Sequence, residues 1–390
     1  MTTPNGLITP PDSGTGARVP RLMSLDAFRG LVIVMMFVVN VAGSDPAFPS
    51  WFPHRGWNEG KMGVGLADFV FPWFLFIVGT SIPFSISSGR GMNLSPGKKA
   101  IAALRRGVTL YLLGTLLWCA TIGYGDVKNF PKITSAVFGH WDILPLIGFG
   151  YAVGALLALL PRWTRVAFVV VIVVAKWASL TQITHPELGR VVWEQQQSFD
   201  HYVRSVFGWW GTLLTQGLPA AAEVVLGSFA GEILRSSLTR ERKVAILVGV
   251  GSGTCLLAML WHSFGGLALS KDFLTSSYIL VTAGSAGAML GILYFVVDVR
   301  GWTQLTFLRV FGLNAIAVYF VGEMVWKTIL IRWQVATPDG GSSIAITALQ
   351  AWLQHFFTAS AGSYATIAVY VGAYWLFCRA LYRRGIFIRI

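Results

Sequence analysis

Apolar runs of about twenty residues recur along the chain, separated by polar connections that carry most of the charge. The first, 25–43, has the roughly 20-residue length that a helix needs to cross a bilayer. The same rule places further spans near 64–86, 101–121, 141–160, 165–184, 209–233, 243–262, 274–298, 304–326 and 363–383. The expected fold is therefore all-α: a polytopic membrane protein of about ten transmembrane helices with both termini cytoplasmic. Residues 1–20 are rich in Pro, Gly, Thr and Ser and hold no apolar stretch, so they are expected as a disordered cytoplasmic tail. They lack the apolar core of a signal peptide. That leaves 21–390 as one membrane domain.

Composition supports the same class. Hydrophobic residues make up 54% of the 390 and charged ones only 12%, against about 25% charged in a soluble domain, so the lipid bilayer is the expected partner. The net charge of +13 raises the question of nucleic-acid binding, which the placement of the charges excludes. They sit in short connections: Arg90, Lys98, Lys99, Arg105 and Arg106; Arg162 and Arg165; Arg235, Arg240, Arg242 and Lys243; Arg300 and Arg309; and the C-terminal arginines. With ten spans, roughly two-thirds of the basic residues fall on the cytoplasmic side, as the positive-inside rule requires. No basic stripe with interleaved aromatics is present. Cys119, Cys255 and Cys378 lie in apolar runs without disulfide or metal spacing, and no P-loop or dinucleotide fingerprint occurs.

Candidate chemistry concentrates between residues 40 and 81. Pro46, Pro49 and Pro53 with interleaved aromatics make a stiff loop that is expected to fold back on the bundle. It presents His54, Arg55, Trp57 and Asn58, and Asp68 opens the next helix. At about 1.5 Å per residue, Asn40 sits ~22 Å along the first helix from Leu25, so these groups share the outer third of the membrane. Each has two uses open to it. His54 is a proton-transfer group or a solvated loop histidine. Asp68 orients a histidine or caps its helix. Asn40 donates to an oxyanion or joins two helices. Lys98, Lys99, Arg105 and Arg106 set topology or bind phosphates. Elsewhere Glu323 and Lys327 are expected to pair, Asp26 and Arg29 to cap and anchor locally, and Lys176 to snorkel toward the interface. Glu223, Glu232 and Asn314 have no ligand assigned, and the remaining histidines show no metal-ligand spacing.

Several blocks resemble the heparan-alpha-glucosaminide N-acetyltransferase family: RLMSLDAFRG (21–30), Asn40, HRGWN (54–58), LADFVFPWFLFIVGTS (66–81), ALRRG (103–107), KDFLTSSYILVTAG (271–284), YFVVDVRGW (294–302), FGLNAIAVYFVGE (311–323) and the C-terminal LYRRGIFIRI. They occur in order across residues 21–390. The chain departs from the family at 139–151, where GHWDILPLIGFGY replaces an Arg-containing PGVLQR-type block. The resemblance implies transfer of an acetyl group from cytosolic acetyl-CoA, as co-substrate, to the amine of a glucosamine-type sugar or oligosaccharide on the periplasmic side of a bacterial inner membrane. It maps the family's active histidine onto His54 and its asparagine onto Asn40. Arg105, Arg106, Lys98 and Lys99 then become the expected cofactor-binding residues, and Arg55, Trp57 and Asn58 the acceptor-binding ones. Asp68 orienting the ring is an inference from placement. His54 acts as base or as acetyl carrier, and a homodimer is expected from the family alone. Two alternatives stand beside this reading: O-acetylation of an envelope polysaccharide, and a sugar permease without chemistry.

Overall fold

The computed structural model describes residues 22–43, 45–55, 63–87, 93–120, 141–192, 197–264 and 268–388. Helices follow in the order α1 (Met23–Ala42), α2 (Leu66–Ile86), α3 (Pro96–Cys119), α4 (Ile143–Leu157), α5 (Arg162–Thr181), α6 (Phe199–Phe207), α7 (Trp209–Arg235), α8 (Arg240–Phe264), α9 (Ser276–Val299), α10 (Thr306–Leu313) and α11 (Ala315–Leu330). A small antiparallel hairpin of β1 (Gln334–Ala336) and β2 (Ser342–Ile344) comes next, then α12 (Ala345–Phe356) and α13 (Ala359–Arg383). Among the described residues, α1, α2, α3, α5, α7, α8, α9 and α13 are each long and apolar enough to cross a membrane. The protein is a multi-pass helical membrane protein.

Two expected spans differ. The run at 304–326 is broken at Asn314, where α10 and α11 meet at a 79° bend, and α4 has 15 residues, short of the expected 141–160. Counting the bent pair as one span gives nine. Two stretches between the expected spans, 185–208 and 327–362, hold structure of their own, α6 in the first and the hairpin with α12 in the second.

Helices α1, α2, α7 and α9 form the inner layer, whereas α3, α5, α8 and α13 turn apolar residues such as Leu112, Val170, Leu257 and Leu376 outward, as lipid-facing helices do. The α2–α7 crossing is closest at two glycines. A Cβ at Gly79 would lie 1.9 Å from the Val224 carbonyl oxygen, and one at Gly227 would lie 2.0 Å from that of Phe76. Lipid tails are as apolar as leucine, so such backbone-to-backbone packing is what helices in a bilayer gain by associating.

Non-helical backbone inside a bilayer must be paired or line a cavity. At the Asn314 break the side chain does the pairing: its Nδ2 donates to the Ile386 carbonyl (3.0 Å) and its Oδ1 accepts from the Ile388 N–H (2.8 Å). The C-terminal segment is thereby held against the bend.

Lys176 does not snorkel. It is buried, donating to the Asp200 carboxylate on α6 and to the Thr215 carbonyl (2.9 Å). Thr215 sits in a π-helical turn of α7, where the backbone register is loosened and a carbonyl is freed. Arg165, expected as a topology charge, is also buried and bonded to Glu232 (2.5 Å). Removing one partner of a buried ion pair leaves an uncompensated charge at a cost of roughly 3–5 kcal/mol. Lys176→Met should therefore lower the thermal unfolding temperature of the detergent-purified protein sharply, and Lys176→Met/Asp200→Leu should recover much of the loss. Equal unfolding temperatures for the wild type and the single variant would contradict the pairing.

Candidate active site

The loop between α1 and α2 is fixed from both sides. At its start, the Asp45 carboxylate accepts from the Ala47 N–H (2.8 Å), Gln350 Nε2 (2.6 Å) and Ser363 Oγ (2.6 Å). Burial alone would raise this carboxyl, but the Ser363, Ala47 and Gln350 hydrogen bonds outweigh it and hold Asp45 below the usual carboxylate range. At its end, the Leu66 and Ala67 N–H groups donate to the Trp51 (2.9 Å) and Phe52 (3.0 Å) carbonyls. The approach demands glycine at 65, because a Cβ there would lie 1.9 Å from the Pro53 carbonyl oxygen. The stitching delivers His54 onto the first turn of α2.

There it meets Asp68, whose Oδ1 is 2.6 Å from His54 Nδ1. Asp68 is 1% exposed, and its Oδ2 accepts from the backbone N–H groups of Gly65 (2.9 Å) and Arg55 (3.2 Å). An ionised Asp68 can only accept, so His54 Nδ1 is the donor of this bond, and in the neutral imidazole the lone pair is then on Nε2. Asp68 both caps the helix start and orients the ring. Its own carbonyl accepts from Tyr278 Oη (2.5 Å), which ties the site to α9.

A residue that the sequence did not single out completes the cluster. Lys271, in the α8–α9 connection, places Nζ 3.3 Å from His54 Nδ1 and 3.7 Å from Asp68 Oδ1. Burial pushes its ammonium below the usual lysine range, while Asp68, Asp272 and Asp142 pull the other way. It belongs to the KDFLTSSYILVTAG block, and 217 positions separate it from His54. Charge at the head of that block was the one available signal.

His54 and Lys271 line a cavity of about 650 Å³, open solvent at its mouth included, whose wall is mainly apolar: Val32, Ile33, Phe71 and Ile147 among others. Asn40 lies on this wall, its Nδ2 donating to Glu323 Oε1 (3.0 Å). Glu323 pairs with Lys327 as expected (3.6 Å), and Lys327 also reaches Asp142 (3.2 Å), whose other oxygen caps α4. A second cavity of about 1230 Å³ lies toward the other end of α1 and α2. Arg29, Ser81, Ser85, Arg106, Gly312 and Phe387 are among its lining residues. Phe74 and Ile316 line both cavities, so the two spaces approach each other at these side chains.

Of the basic cluster, Arg106 alone lines the second cavity. Its guanidinium lies 4.6 Å over the Tyr151 ring, and its Nε has no hydrogen-bond partner among the described residues. Arg105 and Lys98 are exposed, Lys99 is half-buried, and none of the three lines that cavity. Arg29, expected only to anchor, bonds Asp26 (3.1 Å) and Ser81 and faces the cavity beside Arg106. Arg55 contributes its N–H to Asp68 and its guanidinium to the Ser50 carbonyl (3.4 Å). Trp57 and Asn58 lie outside the described residues.

Comparison with known proteins bears on this arrangement. The chain is 24% identical to the heparan-alpha-glucosaminide N-acetyltransferase of Homo sapiens over 85% of its length, and 24% identical to that of Mus musculus over 81%. It spans 57% and 55% of those curated relatives, a little over half of each. A family model described as heparan-alpha-glucosaminide N-acetyltransferase, catalytic, matches residues 21–263, which include His54, Asp68, Arg29 and Arg106. The chain belongs to the heparan-alpha-glucosaminide N-acetyltransferase catalytic family.

Proposed function

We propose that this protein transfers an acetyl group from cytosolic acetyl-CoA to the amine of a glucosamine-type sugar on the periplasmic side of a bacterial inner membrane. The observation that carries the reading is the pair of cavities sharing Phe74 and Ile316, one with His54 and Asp68, the other with Arg29 and Arg106. A basic vestibule suits phosphates, and an apolar passage suits the pantetheine arm of the carrier. Arg29 and Asn40 are 11 positions apart on α1, about 16 Å along the helix, a distance that an extended pantetheine arm bridges. The guanidinium groups of Arg29 and Arg106 and the Ser85 hydroxyl, all on the wall of this cavity, supply donors for phosphate oxygens.

His54 does the proton work. Its Nε2 accepts the proton that the acceptor amine loses as nitrogen attacks the thioester carbon, while Asp68 holds Nδ1 and stabilises the imidazolium. The carbon–nitrogen bond forms, the carbon–sulfur bond breaks, and the proton held on His54 passes to the departing sulfur. Products are an N-acetyl sugar and free CoA thiol. The half-exposed position of His54, whose side chain is 49% accessible, suits access by a sugar from the aqueous side.

His54→Ala should fold and retain acetyl-CoA binding while turnover falls by roughly 10²–10⁴, the usual loss on removing a general base. Labelled acetyl-CoA with glucosamine as acceptor measures it, and near-normal turnover would remove His54 from the chemistry. In the same assay, a base-labile ester in place of an amide would support O-acetylation. Sugar uptake into vesicles with no consumption of acetyl-CoA would support a permease.

Hydrogen bonds to charged groups contribute about 1.5–3 kcal/mol each, so Arg106→Gln should weaken acetyl-CoA binding by roughly 10- to 100-fold. Titration of the detergent-purified protein tests this. Unchanged affinity would confine Arg106 to setting topology.

A further inference from the structure

We propose that Lys271 is a further catalytic residue, the donor that stabilises the oxyanion formed when the acceptor attacks the acetyl carbonyl. The inference rests on the acetyl-transfer reading and adds a residue and a role to it.

Such a donor must face the reacting carbonyl, be free to donate, and be held rigidly. Lys271 meets the first condition by lining the His54 cavity. Its protons meet the second. The nearer contact, His54 Nδ1 at 3.3 Å, has no lone pair to offer because its proton points at Asp68, and Asp68 Oδ1 at 3.7 Å is beyond hydrogen-bond length. Asp68 therefore holds the ammonium in place electrostatically while leaving N–H groups for the cavity.

The turn that carries Lys271 supplies the rigidity. The Leu274 N–H donates to the Lys271 carbonyl (3.1 Å) and the Thr275 N–H to the Ser270 carbonyl (3.2 Å). The Ser270 N–H donates to Thr275 Oγ1 (3.2 Å), and Ser277 Oγ to the Ala268 carbonyl (2.9 Å). Phe273 and Leu274 are buried beneath it. Among the described residues, Leu274 is the one non-glycine with positive φ, at 47°. Left-handed backbone on a leucine is strained, and a surrounding structure that over-determines such a conformation is a mark of functional sites.

Asn40 gives one of its two Nδ2 protons to Glu323, which fits the helix-joining use left open for it.

The ammonium donates only while protonated. The charged and titratable groups around it are His54 and Arg55 on the loop, Asp68 and Tyr278 beneath, Asp272 on its own turn, Asp142 at the α4 start, and Glu323 with Lys327 on α11. Burial lowers Lys271 despite the acids among them. Turnover should consequently fall as pH rises through a value below that of free lysine.

Three proteins test the proposal: wild type, Lys271→Met and Lys271→Arg. Two measurements apply, the pH profile of kcat and binding of two CoA analogues. One analogue carries an anionic tetrahedral methylphosphonate in place of the acetyl group, and the other is the uncharged ketone analogue of the thioester. Lys271→Met should lower kcat by roughly 10²-fold, the scale of a lost oxyanion donor, leave KM for acetyl-CoA near wild type and abolish the alkaline limb. Lys271→Arg should restore much of the rate and move that limb to higher pH. Lys271→Met should also lose the preference for the phosphonate while binding the ketone normally. An unchanged alkaline limb in Lys271→Met, or an unchanged preference, overturns the assignment. Failure of the wild type to bind either analogue would instead overturn the acetyl-transfer reading, and the role of Lys271 with it.

Discussion

A carboxylate placed in an apolar bundle must be fully partnered or it destabilises everything around it. Asp68 is that group, and the geometry of one end of the bundle follows from satisfying it. Its side chain recruits the His54 ring and the Gly65 and Arg55 N–H groups, and its carbonyl takes the Tyr278 hydroxyl. The Lys271 ammonium stands close by. These partners come from two stretches far apart in sequence, the α1–α2 loop leading into α2 and the α8–α9 turn leading into α9. Satisfying one acid therefore assembles a histidine on the wall of a cavity. The constraint also explains why the loop is stitched backbone to backbone at residues 51–53 and 65–67, since a mobile loop would leave the acid bare.

The opposite constraint acts at the Asn314 break. An uninterrupted helix there would give a straight wall; the 79° bend instead brings Gly312, Leu313, Ala315 and Ile316 to the margin of the second cavity. The cost is unpaired backbone in an apolar setting, and Asn314 offsets part of it by pairing with the C-terminal segment. That segment contributes Phe387 and Ile388 to the cavity wall, so one asparagine both ends a helix and holds part of that wall in place.

These features were legible in the sequence to different degrees. Run length reports whether a segment can lie in lipid, and each expected span holds helix. It does not report a backbone break within a run, because Gly312-Leu-Asn314 leaves the mean apolarity high; the bend went unseen for that reason. Lys176 was misassigned because its partner Asp200 sits on a nine-residue helix within a segment that reads as loop. His54 and Asp68 stood out because they lie 14 positions apart on either side of one loop, whereas Lys271 lies 217 positions from His54 and only its charge at the head of its block marks it. Arg106 and Arg105 are adjacent and chemically alike. Which of them faces inward depends on helix phase at a surface whose partners are not yet known, and the structure turns Arg106 to the cavity and Arg105 outward.

Phe74 and Ile316 line both spaces, and their chemistry bears on what can pass where the two approach. Neither carries a polar group, so neither offers a hydrogen bond to a hydrated ion or a free sugar; a passage closed by apolar groups disfavours water and charge. A flexible chain with few charges crosses such a constriction by rotamer changes alone, because aromatic and aliphatic side chains reorient without breaking any polar contact. The boundary therefore discriminates by polarity. On the proposed reading, phosphates stay on the arginine side and sugar hydroxyls on the histidine side, and a thin, mainly apolar arm is the class of ligand that would occupy both cavities at once. The proposed acyl transfer would then need no rocking of helices, and the close glycine packing of α2 on α7, which resists such motion, fits a scaffold that holds still while a carrier's arm does the reaching.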